Sequence, residues 1–303
     1  MNSMLDSLPP FLNVKQVADY LQLHEKKVYS LLNEGQIPAT KVTGKWLFPR
    51  ELIDQWLLDN SYAGVFADRL LIAGADDPLL YRMVALLSAE WQEQALMAHH
   101  PTPVQWGLSL LAQRRVDAAV IHWGPSVESH LRHAALIQQY PQHSQWLIIR
   151  LFEREQGLLF SPKIAHYAQL PIEQLLQKSL HWVTRQEGSG TQWFLLELLA
   201  RYHVKWAELT RVTEARSVRE VGGLLITQQA DIAVGSRAMA HELGLTFMAL
   251  DWEAIDVALN RGVYFRHLFQ QFLAFLQTPA TQALSQSLRG YRLDRSGKMI
   301  WSG

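Results

Sequence analysis

Residues 185–194 read RQEGSGTQWF and bring two glycines, a serine and a threonine together between the strand-like LHWVT and an apolar run with helical spacing. A helix opening near Thr191 leaves its first N–H groups free, and these, with the positive end of the helix dipole, favour an anion. Ser189 and Thr191 add hydroxyl donors, Gly190 lets a ligand approach the backbone, and Glu187 belongs to the same loop. An ordinary helix cap needs the same residues, so the motif alone divides evenly between cap and binding loop. Three further strand ends carry small or polar tips that suit one shared cleft: Ala75 and Asp76 in GADDPLL, His122 in AVIHWG, and Val234, Gly235 and Ser236 in IAVGSRA. His122 alone reads more readily as a hydrogen-bonded structural histidine, and Trp106, Trp123 and Trp193 divide between cleft wall and core.

The chain has 12 histidines, but His99 and His100 stand before Pro101 in what reads as a polar loop, and His130 and His133 lack a convincing set of partner ligands. No metal is expected. No nucleophile elbow or zincin helix occurs, and EGSGTQ lacks the lysine of a phosphate loop. The expectation is therefore a binding protein that is not an enzyme and requires no cofactor.

The elements that position these residues begin at Arg69. RLLIAGAD, VDAAVIHW, SLHWVTRQEG and ADIAVGSRA read as strands, each coupled to a helix such as PLLYRMVALLSAEWQ or TQWFLLELLARYHV. Strands alternating with helices indicate α/β layers with parallel strands, and ligands in such folds sit beyond the carboxyl ends of the strands.

Residues 1–60 have a different rhythm. Asn13 caps a short helix with Val14, Val17, Ala18 and Leu21 on one face. After a turn at Gln22, Leu23 and His24, a second helix turns Val28, Leu31 and Leu32 inward and ends at Gly35. PATKV and KWLF read as a hairpin turned at Thr43 and Gly44. A third helix, with Pro49 in its first turn, is expected to bury Leu52, Ile53, Trp56 and Leu57. Placed in a major groove, the second helix would present His24, Lys26, Lys27, Ser30 and Asn33 to bases or phosphates, while Lys41, Thr43 and Lys45 on the hairpin reach an adjacent phosphate or minor groove. Against this stands the reading of Lys26 and Lys27 as a solvated helix face. The segment holds six basic groups (Lys15, Lys26, Lys27, Lys41, Lys45, Arg50) against seven acidic ones (Asp6, Asp19, Glu25, Glu34, Glu51, Asp54, Asp59). One copy alone is therefore expected to hold double-stranded DNA weakly, and a homodimer or higher homo-oligomer is the natural remedy.

Over all 303 residues, Lys plus Arg equals Asp plus Glu at 28 each, so no global field draws the chain to nucleic acid or an anionic membrane. The chain contains no cysteine, which excludes disulfides, thiolate metal sites and a cysteine nucleophile. No secretory leader is legible and no run of about 18 apolar residues occurs, so a soluble, cytoplasmic protein is expected.

The order VKQVADYL, KKVYSLLNEGQIPATKV, GKWLFPRELIDQWL resembles the winged helix-turn-helix of the MerR and excisionase families. Residues 69–303 resemble the periplasmic-binding-protein-like domain found fused to helix-turn-helix regulators and to molybdopterin biosynthesis proteins. The resemblance rests on GADDPLL, GLSLLAQRRVDAAVIH, REQGLLFSP, RQEGSGTQWFLLELL, ADIAVGSRAMAHELGLTFMAL and GYRLDRSGKMI. It implies an α/β, two-lobed, type II binding fold after a small head (1–60) and linker (61–68). WLIIRLFEREQGLLF and LTFMALDWEAIDVAL would cross between the lobes. It implies in turn a ligand-responsive transcription regulator that senses molybdate, tungstate or a related small anion and controls genes of molybdenum enzymes such as formate dehydrogenase. The alternative is an interaction protein that holds cofactor or precursor during maturation of a molybdenum enzyme. Transferred by position, Ala75 and Gln105 to Gly107 would serve the first lobe, and Ser189, Gly190, Thr191 and Val234 to Ser236 the second. The first lobe departs from the pattern: Ala75 stands where relatives tend to have Ser, and Gln105-Trp106 where they often have Gly-Ser. A lost hydroxyl removes a donor of roughly 1 kcal/mol or more, which opens the cleft to another oxyanion, an organic acid or a pterin-like molecule stacked on Trp106 or Trp123.

Overall fold

The computed structural model describes residues 9–34, 37–42, 44–61, 69–92 and 94–303. The chain divides into two compact units, Met1–Asp68 and Arg69–Gly303.

In the first unit, β1 (Phe11–Leu12) leads into α1 (Val14–Tyr20), whose cap is reciprocal: Asn13 Oδ1 accepts from the Gln16 N–H and Gln16 Oε1 from the Asn13 N–H. A turn with Gln22 at φ +54° separates it from α2 (Glu25–Asn33). β2 (Thr40–Val42) and β3 (Lys45–Pro49) form the hairpin arms, and α3 (Arg50–Ser61) follows. The strand order β1-β3-β2 makes β3 central, with β1 an addition that the sequence pattern did not disclose. Leu12, Val17, Ala18, Val28, Leu31, Ile37, Phe48 and Ile53 form the core. Two expectations need correction. Pro49 ends β3 rather than opening α3. Ile53 and Trp56, at i and i+3, take the inward stripe of α3, leaving Leu52 (50% exposed) and Leu57 (36%) at its edges. Gly35, Thr43 and residues 62–68 lie outside the described residues.

In the second unit β4 (Arg69–Gly74), α4 (Pro78–Trp91), β5 (Leu96–Pro101), α5 (Val104–Ala112), β6 (Ala118–Ile121) and α6 (Ser129–Gln138) alternate. The 15-residue β7 (Trp146–Phe160) then opens a second alternating series. This consists of α7 (Ile172–Leu176), β8 (His181–Arg185), α8 (Gly190–Arg201), β9 (Thr210–Ala215), α9 (Val218–Ile226), β10 (Ile232–Ser236) and α10 (Arg237–Leu243). The equally long β11 (Thr246–Asn260) follows, and α11 (Arg261–Tyr264), α12 (His267–Leu276), α13 (Pro279–Leu288), β12 (Tyr291–Arg292) and β13 (Met299–Ser302) complete the unit.

The sheet order is β5-β4-β6-β11-β7-β10-β8-β9, with β12 and β13 paired to β7. β4 runs parallel to β5 and β6, and β8 parallel to β9 and β10. β7 and β11 pair antiparallel along their whole length, from Trp146 opposite Asn260 to Phe160 opposite Thr246. β6 joins the C-terminal part of β11, whereas β10 joins the C-terminal part of β7. Each long strand therefore belongs to both lobes. Separate apolar clusters cover the two sheet faces of each lobe: around Leu79 and Phe269, and around Leu108 and Trp146, in the first; around Leu195 and Trp182, and around Val183 and Leu225, in the second. The two crossing segments read from the sequence coincide with β7 and β11.

His99 and His100 lie in β5 rather than in a loop, because Ile72 and Ala73 of β4 pair with them in parallel register. Burial holds His99 down at about 4 from its ordinary 6.5, with the Asp76 carboxylate acting against that shift and His100 with it. The unfolded chain takes up the proton at the higher value. The stability present above pH 6.5 is therefore lost as the pH falls toward 4, by up to about 3 kcal/mol. His122, also held down by burial, acts in the same direction. Urea unfolding at pH 7, 6 and 5 is expected to show this decline, and His99→Asn to flatten it in part; an unchanged slope in the variant would remove His99 from the effect.

Candidate ligand cleft and DNA-reading helix

In the head, α2 places Lys26 and Lys27 on its exposed first turn, with Asn33 exposed at its end. His24 stands exposed at the N-cap position without using its side chain to cap the helix. Ser30 is half-buried and donates its hydroxyl to Glu34 Oε1 at 2.6 Å, which ties up part of its capacity for another partner. Lys41 on β2 lies over the Trp46 ring, 5.5 Å from its centroid, and Lys45 on β3 is exposed. Tyr29, read from sequence as partly core, is 46% exposed and adds an aromatic side chain to the outer surface of α2. At helical spacing Lys26, Ser30 and Asn33 share that face.

In the second unit, Ser189 caps α8 by accepting from the Gln192 N–H, so its hydroxyl serves the helix. The glycines of the loop serve close approach. Gly188 sits at φ +77°, and its carbonyl accepts from the Gln105 N–H of α5 at 3.3 Å. A Cβ on Gly190 would stand 2.3 Å from the His122 carbonyl oxygen. Small residues here let the second lobe seat directly on the first. The lobes also meet where Asp76 Oδ2 accepts from the Val218 N–H at the start of α9 (3.0 Å). Glu197 Oε1 receives both the Trp123 indole N–H (2.9 Å) and Arg132 (2.6 Å), and Arg82 pairs with Glu242.

Within this closure Arg154, Gln156, Arg185, Thr191, Val218, Val221, Val234, Gly235, Ser236 and Met239 line a small cavity. Thr191, Val234, Gly235 and Ser236 thus come together as expected, and Ser236 also caps α10. His122 does not reach this cavity: it is buried, its Nδ1 lies 3.0 Å from Glu253 Oε2, and burial holds its pKa below the ordinary value against the pull of Glu253. Ala75 is buried and bonds through its backbone N–H to Val120 O. Glu187 and Gln105 are exposed beside the loop, and Trp106, 53% exposed, stands edge-on to His100 rather than lining the cavity.

The residues missed from sequence are charged or amide groups on the crossing strand and at the end of β8. Arg154 is buried, donating to Glu253 Oε1 at 2.7 Å and Asp77 Oδ2 at 3.0 Å. Asp77 meanwhile caps α4 and accepts from the Tyr291 hydroxyl. Burial disfavours the Glu253 charge, but His122 and Arg154 hold its carboxyl down at about 2. Burial pushes Asp77 up against the pull of Arg154. Arg185 is pulled down by burial, with the Asp76 carboxylate working against that shift. Arg185 stood at the head of RQEGSGTQWF, and the polar E-R-E-Q run in WLIIRLFEREQGLLF was the available signal for Arg154 and Gln156. Among the described residues no group of three or more His, Cys, Asp or Glu side chains is arranged to hold a metal ion, and no helix is long and apolar enough to cross a membrane.

These features define a two-lobed, type II binding domain, preceded by a winged helix-turn-helix of excisionase type. The chain belongs to the PBP superfamily, whose domain profile matches residues 86–277, and a helix-turn-helix domain profile matches residues 11–61. No curated protein matches it by sequence. Among solved structures, a hydrogen-peroxide-bound mutant of OxyR from Corynebacterium glutamicum is 14% identical, covering 91% of this chain and 89% of its own at a TM-score of 0.54. The regulatory domain of CcmR from Synechocystis PCC6803 in complex with 2-PG is 15% identical (69% and 95% covered, TM-score 0.52). The tungstate ABC transporter of Geobacter sulfurreducens is 12% identical (72% and 97%, TM-score 0.53). At such identities the likeness is one of fold.

Truncating Glu253 would leave the Arg154 guanidinium buried with one carboxylate, that of Asp77, in place of two. Glu253→Ala is expected to lower unfolding stability by about 3–5 kcal/mol, read as a shift of the urea midpoint. A loss within about 1 kcal/mol, the range of an exposed pair, would show that the cluster is not structural.

Proposed function

We propose that this chain is a cytoplasmic, non-catalytic, ligand-responsive DNA-binding transcription regulator. The observation that carries the reading is the union in one chain of a helix-turn-helix whose second helix exposes Lys26 and Lys27 with a PBP superfamily domain whose lobes meet across an anion-suited cleft. An effector entering the cleft exchanges the contacts Asp76–Val218 and Gln105–Gly188 for contacts to itself, and only such differential binding can bias one lobe arrangement over another. Two heads in a homodimer turn that bias into altered affinity for paired half-sites. Dimerisation also answers the weak charge of a single head.

The effector class is a small anion. Molybdate and tungstate fall within it, with genes of molybdenum enzymes such as formate dehydrogenase as targets, and the tungstate transporter of similar fold supports testing them. Ala75, which offers no hydroxyl, speaks for anions beyond that pair. The near balance of acidic and basic groups in the head keeps open the second reading, a docking and maturation protein for a molybdenum enzyme.

The full chain, offered a random duplex library, is expected to select a two-fold-related sequence. A Lys26→Ala/Lys27→Ala double variant is expected to bind it roughly tenfold or more weakly, with the salt slope reduced by about two per bound copy. Undiminished affinity in the double variant would remove α2 from the groove. A copurifying enzyme subunit without sequence selection would favour the maturation reading.

A further inference from the structure

The cleft already holds a carboxylate, that of Asp76. Its Oδ2 accepts from the Val218 N–H in the first turn of the nine-residue α9, across the line where the lobes meet. In the cavity that Val218 also lines, Gln156 is fully buried with neither amide atom partnered, and Arg185 Nε is likewise buried without a partner. Gln156, Arg185, Thr191 and Val218 line the same cavity. A buried amide with both ends free calls for a ligand that presents an acceptor and a donor together. Arg185 and the start of α9 call for negative charge on the acceptor.

From this geometry we propose that the cleft takes a small 2-hydroxycarboxylate, whose carboxylate replaces that of Asp76 at the start of α9 and whose hydroxyl meets Gln156. The inference rests on the reading that the cleft binds the effector, and it names the effector's chemistry. Size agrees with it. The Asp76 side chain is a methylene and a carboxylate, and the adjoining cavity has room for about one water-sized group. Glycolate is a methylene, a carboxylate and a hydroxyl. A fully ionised metal oxyanion offers acceptors alone and leaves the Gln156 carbonyl oxygen without a donor. Acetate fills the carboxylate place and leaves the amide unmet. Asp76 is then an internal competitor: it lends the closed lobes a bond while no effector is bound, and it must move aside when one enters.

Calorimetric titration of the full chain with glycolate, acetate and tungstate tests the proposal. The wild-type chain is expected to bind glycolate more tightly than acetate, and acetate more tightly than tungstate. Asp76→Ala is expected to tighten glycolate binding by roughly tenfold or more, the factor that follows from removing a charge-assisted competitor. Asp76→Asn, which keeps an acceptor for Val218 without the charge, gives a smaller gain. Gln156→Met is expected to erase the preference for glycolate over acetate. Unchanged or weaker glycolate binding by both Asp76 variants, each unfolding cooperatively on heating, overturns the proposal, as does retention of the glycolate preference in Gln156→Met. Tungstate bound more tightly than glycolate overturns this inference and leaves the regulator reading standing. Binding of none of the three by the wild-type chain or by Asp76→Ala overturns this inference, and loss of ligand-dependent DNA binding would be needed to overturn the other.

Discussion

A guanidinium cannot be deprotonated to escape burial, so Arg154, placed inside the crossing strand β7, obliges the surrounding fold to supply carboxylates. Glu253 comes from the opposite crossing strand and Asp77 from the loop after β4. Asp77 is bound in turn by the first N–H groups of α4 and by Tyr291 in β12. One buried charge thus fixes the spacing of both crossing strands, the entry to α4 and the strand that returns from the end of α13. A second cluster works alongside it: Arg150 donates to Asp256, Glu153 and Ser129, and Asp256 lies 2.7 Å from His133. Such clusters add little net stability relative to a well-packed apolar core, but they penalise any register other than the native one.

The cleft depends on that fixed frame. Because Asp77 is held by Arg154, its neighbour Asp76 is delivered to the start of α9 at a defined place. Because β6 ends against β11, the His122 carbonyl forms the wall on which Gly190 rests. The two glycines in RQEGSGTQWF are accounted for by this seating. Gly188 turns the chain through positive φ and Gly190 permits contact with the opposite lobe, while Ser189 is an ordinary cap. Cap and ligand loop, which the sequence left evenly matched, prove compatible: the serine does one task and Thr191, facing the cavity, is free for the other.

Most of the fold was legible because its elements announce themselves locally. Strand and helix alternation and the Asn13 cap follow from patterns only a few residues wide, whereas the two crossing segments follow from the family resemblance. The misread elements were set by distant partners. Phe11 and Leu12 are a strand only because Pro49 and Phe48 lie beside them, and His99 and His100 because Ile72 and Ala73 do. The cleft was legible in part for the same reason. Thr191 and Val234 to Ser236 follow from the rule that ligands sit at strand ends, whereas Gln156 and Arg154 point into the site from mid-strand, and no local pattern tells which way a residue in a doubly covered strand faces. His122 was drawn into the candidate site by its place after β6, yet Glu253, more than a hundred residues later, claims it.

The pairing of β7 with β11 has a kinetic side. Trp146 meets Asn260 and Phe160 meets Thr246, so the backbone ladder joining the lobes closes only after the whole second lobe has been brought into place between its two strands. Loop closure over such a span must precede the gain from pairing, which slows a fold of this topology. The head has no such debt, since its core is drawn from residues 12 to 53. During synthesis it can take shape while β11 is still unmade, so the first unit is complete before the ladder that joins the two lobes of the second can begin to close.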